Sequence, residues 1–356
     1  VTEAEPWMPR GGVRRAGVSS FGFGGTNVHL VVSDAGIDRA AAARQALQPQ
    51  VFDRKPYWIE KEDSSTEAGP VVLPSAAFTA PGQLALTEAK AGDGRRFDTV
   101  LPADHPVLRD HVVRGVGIAP GTMHFDLAYR ALAAIDGREG DGFVLRKILF
   151  REPVASRDGR GIALSLSLAP DGEEWRVRVT GRPEGQAGPI SVHLEGVMVR
   201  ALPELGPALD IPALKAAAGS SFAVTEAYAL ARKVGILHGP FMRPEGTVWE
   251  GADYLLARFE FGAETLAAAD RFALHPAFLD AACLVPFLFE RQRAEAETRP
   301  FIPISIGAFE TAGPIPAGGY VLVRRSGAGG AVPDDVYLAD ISLYRADGTP
   351  VARMRR

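Results

Sequence analysis

A chain of 356 residues suffices for one large or two modest domains, and its composition, 46% hydrophobic and 23% charged with a formal net charge of −4, is that of an ordinary globular protein. No basic excess marks a nucleic-acid partner, and the longest apolar run, AACLVPFLF at 281–289, falls well short of the ~20 residues a membrane span takes. Cys283 stands alone, which excludes an internal disulfide and a thiolate zinc cluster and makes a reducing cytoplasm the expected setting.

The chain opens on VTEAEPWMPR, with no initiator Met and no secretory-signal pattern, and reads as a piece of a longer polypeptide. Residues 17–32, GVSSFGFGGTNVHLVV, read as a tight glycine turn followed by a strand. Residues 33–50 are Ala-rich and helix-prone, and 61–70 are polar linker. The glycines of GFGGTN do not cradle a nucleotide: Asn27 stands where a dinucleotide fingerprint needs its third glycine, and the P-loop lysine is missing. The first ~70 residues are too few to bury a sizeable core unaided.

From residue 93 the pattern changes. GIALSLSLA (161–169), EWRVRVTG (174–181) and ISVHLEGVMV (190–199) alternate with the period of half-buried strands. TVWEG (247–251), YLLARFEF (254–261) and YVLVRRS (320–326) repeat the habit. Two segments break it. After Pro120, the residues Phe125, Ala128, Leu132 and Ile135 form the stripe of an amphipathic helix; after Pro276, AFLDAACLV is apolar nearly all round, as a helix buried on every side is. Each proline suits the first helical turn, where its missing N–H costs nothing. Strands plus a buried helix, twice over, predict an α+β fold in which a sheet wraps a central helix and the unit is duplicated.

Neither H-E-x-x-H nor G-x-S-x-G occurs, so zincin and α/β-hydrolase chemistry lose support. Among the seven histidines, His111 has the most pointed context. It heads the loop HVVRGVGIAP, in which Gly115 and Gly117 allow backbone to approach a ligand, and Pro120 and Gly121 open a helix with unpartnered first N–H groups. That places a general base beside an oxyanion site, although a hydrogen-bonded core or surface imidazole fits the same spacing. Asp280 is the second candidate. With almost no polar neighbour within a turn, its pKa is expected to rise by desolvation, making a general acid; the alternative is a capped or Arg-paired carboxylate. A base and an acid of this kind remove a proton from one carbon and protonate a hydroxyl leaving the next, which is elimination of water.

These segments resemble the dehydratase domains of modular type I polyketide synthases. His111 through Pro120 matches their H-x-x-x-G-x-x-x-x-P signature, with a similar lead-in in DHPVLRDH (104–111). VGILHGPF (234–241) resembles their glycine–tyrosine–GP segment, LHPAFLDAA (274–282) their H-P-x-x-L-D-A motif, and RPFIPISIG (299–307) the strand entry that follows. The front end is similar to the last loop and strand of a ketosynthase (GVSSFGFGGTNVHLVV) and to the aromatic segment preceding such dehydratases, FDRKPYWIE at 52–60. The implied organisation is a ketosynthase remnant over 1–32, a linker over 33–92, and a double hotdog over 93–356, its halves about 93–205 and 220–356. Between the ketosynthase-like tail and the dehydratase there is no room for an acyltransferase. That points to a module supplied with extender units in trans, or to an intervening part removed.

The resemblance implies syn elimination of water from a 3-hydroxyacyl thioester on the phosphopantetheine arm of an acyl carrier protein. His111 would take the α-proton, Asp280 would protonate the departing hydroxyl, and the Gly121 N–H would polarise the thioester carbonyl. Gly115, Pro120, His238, Gly239, Pro240 and Leu284 would line the substrate site. No metal or cofactor of the domain's own is called for. The implied partners are the carrier protein, neighbouring synthase domains and a second copy in a homodimer.

Three positions depart from the family pattern. Leu284 stands one helical turn after the acid, where Gln or His usually holds the carboxyl. His238 replaces a tyrosine, either as a donor to the leaving hydroxyl or as tunnel lining. Met242 and Arg243 replace the aromatic and Gln that often close the GP segment. A double-bond isomerase or oxa-cyclase on the same fold, and a catalytically silent module, are the competing readings; retention of Asp280 and Pro120 favours dehydration. His105, His193, His275 and Cys283 read as structural.

Overall fold

The computed structural model describes residues 8–9, 11–21, 27–34, 84–91, 94–138, 140–186, 188–290, 303–325 and 338–355. The chain divides into two compact units, Val1–Gly69 and Pro70–Arg356. In the first, β1 (Arg15–Phe21) and β2 (Asn27–Ser33) form an antiparallel hairpin with Val18 opposite Leu30. Residues 17–21 are therefore strand, where the glycine-rich sequence predicts turn. The helix-prone 33–50 and the polar 61–70 lie outside the described residues, apart from Ser33 and Asp34.

In the second unit, β3 (Thr87–Ala91) and β4 (Gly94–Leu101) lead through a short helix, α1 (Pro106–Arg109), into β5 (His111–Val113) and β6 (Val116–Ala119). Helix α2 (Met123–Asp136) follows, then β7 (Phe143–Phe150), β8 (Val154–Ser156), β9 (Ile162–Asp171), β10 (Glu174–Pro183) and β11 (Ser191–Arg200). A second run holds α3 (Ile211–Ala217), β12 (Ser220–Ala223), α4 (Thr225–Lys233), β13 (Ile236–His238), β14 (Glu245–Glu250), β15 (Tyr254–Glu260), α5 (Ala263–Ala267) and α6 (Pro276–Leu284). Strands β16 (Ser305–Thr311), β17 (Gly319–Arg325), β18 (Ala339–Tyr344) and β19 (Pro350–Arg355) complete it.

Thirteen of these strands join one antiparallel sheet in the order β12-β14-β15-β17-β18-β19-β16-β7-β11-β10-β9-β4-β3. The order splits at β16–β7 into an N-terminal set around α2 and a C-terminal set around α6, which is the double hotdog. Period-two burial drives the strands: in β9, Ile162, Leu164, Leu166 and Leu168 are buried while the residues between them are half-exposed. Helix α2 buries Phe125, Ala128 and Leu132, as its stripe predicts, and ends where Gly137 takes a left-handed conformation (φ 68°) and donates to Ala133. Phe125 sits 4.7 Å from Phe309 of β16, so α2 is seated over the seam between the halves.

Helix α6 starts with Pro276 as its first residue and His275 as N-cap. Phe278 packs against Phe259 and Phe261, with ring centroids 5.9 and 6.4 Å away. Two expectations need adjusting. Helix α2 begins at Met123, because Pro120–Thr122 form a turn in which Pro120 accepts from Met123. The body also begins before residue 93: Leu84 is buried in the core, Arg130 donates to its carbonyl, and β3 pairs with β4. Among the described residues no helix is long and apolar enough to cross a membrane.

Candidate active site

The remaining sheet, β13-β5-β6-β8, holds His111 and His238. Strands β5 and β6 form a hairpin with Val113 opposite Val116, and both loop residues, Arg114 (φ 49°) and Gly115 (φ 84°), have the positive φ of a type I′ turn. Gly115 is thus explained by the exposed hairpin tip, a correction to its reading as backbone that approaches a ligand. Gly117 is required by packing, since a Cβ there would lie 2.8 Å from the Leu108 carbonyl oxygen.

Strand β13 lies antiparallel to β5 in a register that sets His238 directly opposite His111. Their rings meet edge-on with centroids 5.0 Å apart. Asp280 enters from the middle of α6, its Oδ2 3.5 Å from His238 Nε2. A nitrogen from each imidazole and a carboxylate oxygen lie within 4.8 Å of one another. His111 Nδ1 is 2.5 Å from the Ile118 carbonyl oxygen, which can only accept, so Nδ1 carries the proton and Nε2 keeps the lone pair.

Burial pushes His111 below the ordinary histidine value; Asp280 pulls it back up, His238 adds to the fall, and the net direction is down. The His111 ring is neutral at neutral pH. Burial alone would raise the Asp280 carboxyl, but the adjacent His111 and His238 outweigh it and hold the group below its usual value. This corrects the expectation of an acid kept protonated by desolvation. The segment around Asp280 is apolar, yet the fold delivers two imidazoles from distant parts of the chain. Leu284 is buried in the core one turn on, and His238 is the polar neighbour that stands in for the partner missing there.

Two buried carboxylates brace these groups. Asp110 binds Arg109 at 2.7 Å and accepts the Phe241 N–H at 2.7 Å, while its own carbonyl accepts from Gly239 at 2.8 Å. Burial would raise Asp110, but Arg109 and the Phe241 N–H lower it overall. Asp126, on α2, accepts from Ala273 (2.8 Å) and Leu274 (3.0 Å), fastening the first central helix to the segment that launches the second. Sequence reasoning missed both, and also Tyr228 of α4. Its buried ring meets His238 edge-on at 4.9 Å, and its hydroxyl has no hydrogen-bond partner among the described residues. Burial pushes the Tyr228 hydroxyl pKa well up, and the Asp280 charge adds to it. No local motif marks these residues, because what matters about them is contact between remote segments.

The other candidates fall into place by packing. Gly121 lies under the Phe150 ring, where a Cβ would come within 2.6 Å, so packing alone demands glycine; Pro120 is buried beside it. The Gly121 and Thr122 N–H groups make no backbone hydrogen bond among the described residues. Gly239 is pressed against Asp110, a Cβ there meeting Cγ at 2.5 Å, whereas Pro240 is exposed at the turn. Met242 is buried and Arg243 exposed. His105 caps α1 through the Val107 N–H, and His193 pairs with the Glu152 carbonyl oxygen at 2.9 Å. His275 is fully buried among Phe241, Phe261 and Phe272, and burial lowers its pKa to about 4.

Comparison with known proteins identifies the family. Family profiles described as polyketide synthase dehydratase domain and polyketide synthase dehydratase N-terminal domain match residues 83–182 and 206–356, together well over half of the chain. Polyketide synthase ThaG of Burkholderia thailandensis is 31% identical over 264 residues, 72% of this chain and 5% of that protein. Polyketide synthase GfsB of Streptomyces halstedii is 30% identical over 251 residues, 68% of this chain and 4% of that protein. The chain thus spans about a twentieth of the length of these curated relatives. Among solved structures, an N-terminal dehydratase from the difficidin assembly line superposes with a TM-score of 0.68 at 25% identity, covering 74% of this chain and 92% of that one. A trans-AT polyketide synthase dehydratase domain from Brevibacillus brevis gives the same score and identity over 76% and 94%. With a double hotdog, a matched signature in each half and relatives of this kind, the chain belongs to the polyketide synthase dehydratase domain family.

Proposed function

We propose that this chain removes water from a 3-hydroxyacyl thioester held on the phosphopantetheine arm of an acyl carrier protein, giving the 2,3-enoyl thioester. The observation that carries the reading is the meeting of His111, from the N-terminal hotdog, with Asp280, from the central helix of the C-terminal one. Neutral His111 takes the α-proton on Nε2, while its Nδ1–H stays on the Ile118 carbonyl and stabilises the imidazolium that forms. As the Cβ–O bond breaks, Asp280 delivers a proton and the hydroxyl leaves as water.

Because Asp280 rests as the carboxylate, it takes up that proton before elimination. The proton gained by His111 then passes to Asp280 and resets the site. The Gly121 N–H polarises the thioester carbonyl, and Pro120, Gly239 and Leu284 shape the wall. Dehydration by this route uses no metal or cofactor. The carrier protein, neighbouring synthase domains, a homodimeric partner and a cytoplasmic setting belong to the same proposal. So does a ketosynthase origin for the β1–β2 hairpin, which rests on the resemblance of GVSSFGFGGTNVHLVV to the last loop and strand of that domain.

The test offers both 3-hydroxy epimers, as pantetheine and carrier-protein thioesters, and follows water loss by mass. One epimer is expected to turn over. A product of unchanged mass with a moved double bond would favour an isomerase instead.

A further inference from the structure

His111, His238 and Asp280 present two imidazole nitrogens and a carboxylate oxygen. Two His and one carboxylate are the donor set of catalytic zinc sites, which leave a fourth position open to water. The spacing also suits an ion. Three atoms no farther apart than 4.8 Å are all met from one point at most about 2.8 Å away, that is 4.8/√3. An inward shift of about 0.7 Å then brings each to the 2.0–2.2 Å at which His and Asp bind zinc. The His238–Asp280 separation of 3.5 Å is already close to the ~3.4 Å between two ligands on a tetrahedral zinc.

Two further observations point to a ligand here. His238 has a side chain only 1% exposed; its Nδ1 has no hydrogen-bond partner among the described residues, and its Nε2 and the Asp280 Oδ2 face each other at 3.5 Å with no closer partner. Buried polar atoms left this way are costly unless something binds them. His111, for its part, donates its Nδ1–H to the Ile118 carbonyl oxygen, the outer pairing that fixes the tautomer and orientation of metal-bound histidines.

We propose that this trio binds one borderline divalent cation, Zn²⁺ foremost, and that the bound ion reversibly blocks dehydration. Zinc would occupy the His111 lone pair and the Asp280 carboxylate, the two groups that elimination needs free. Only the inhibitory consequence rests on the dehydratase reading, since the ion site itself follows from the three side chains.

The experiment titrates Zn²⁺ into the untagged, metal-free full chain by calorimetry, with Co²⁺ as a second probe whose visible absorption reports four-coordinate nitrogen and oxygen ligation. One ion per chain at micromolar or tighter affinity is expected, weakened at least about tenfold in both His238→Tyr and Asp280→Asn, each checked for wild-type circular dichroism. Dehydration should stop when Zn²⁺ is added and recover with EDTA. Absence of one-to-one binding at micromolar Zn²⁺, or binding unchanged in both variants, overturns the proposal. Failure of the dehydratase reading looks different: one-to-one binding with the expected variant losses, but no water released from either epimer under EDTA.

Discussion

His238 and His111 are cross-strand partners, and their rings, 5.0 Å apart, set two imidazoles beside the Asp280 carboxylate. The arrangement fixes the direction of the pH response. Burial lowers the His111 pKa, so the titration of its ring, followed by NMR, should have its midpoint below 6.5. His238 contributes to that lowering, so in His238→Tyr the midpoint should move up. A wild-type midpoint above 6.5, or a downward move in the variant, contradicts this electrostatic picture.

Gly239 couples the two strands to Asp110. A methyl group there would come 2.5 Å from the Asp110 carboxyl carbon, and the Gly239 N–H is bonded to the Asp110 carbonyl oxygen at 2.8 Å. Gly239→Ala should therefore cost about 1–3 kcal/mol by overpacking and lower kcat more than it raises KM, because the displaced loop carries His238. Urea unfolding and steady-state kinetics on the same preparation check both.

Asp126 makes a sharper pair of variants. Asp126→Asn keeps the oxygen that accepts from Ala273 and Leu274, and should cost little. Asp126→Ala leaves two N–H groups short and should cost about 3 kcal/mol or more, with kcat falling as α6 and Asp280 lose their anchor. Equal stability of the two variants would show that the bonds to Ala273 and Leu274 do not hold the helices together.

His275 predicts how the fold fails in acid. Its pKa is about 4 in the folded chain and about 6.5 in the unfolded one, so the unfolded state binds the extra proton first. Stability is complete above pH 6.5 and falls by on the order of 3 kcal/mol between 6.5 and about 4. Buried His124, lowered to about 3, adds to the same window. In His275→Leu the dependence of unfolding free energy on pH over this range should be shallower but not abolished.

Much of the fold is legible locally because its cause is local. The strands of 162–183 declare themselves by alternation, and α6 by a proline that costs nothing at its first position. Glycine misleads where its reason is long-range: Gly121 faces the Phe150 ring and Gly239 faces Asp110. Gly115 misleads for the opposite reason, its positive φ serving a tight turn rather than a ligand. His111 and Asp280 stand out through their motifs, but the sign of the Asp280 shift does not. It depends on β13 pairing with β5, a contact between residues more than a hundred positions apart. Tyr228, Asp110 and Asp126 were invisible on the same ground.

We propose that His111 and Asp280 act together as base and acid on a 3-hydroxyacyl thioester. The most direct measurement follows release of water from a carrier-bound 3-hydroxyacyl chain by mass, in wild type, His111→Ala and Asp280→Asn, with thermal unfolding recorded for each. Turnover of one epimer by wild type is expected, with losses of at least about 10²-fold in each variant and folding intact. A wild-type rate in either well-folded variant would contradict it.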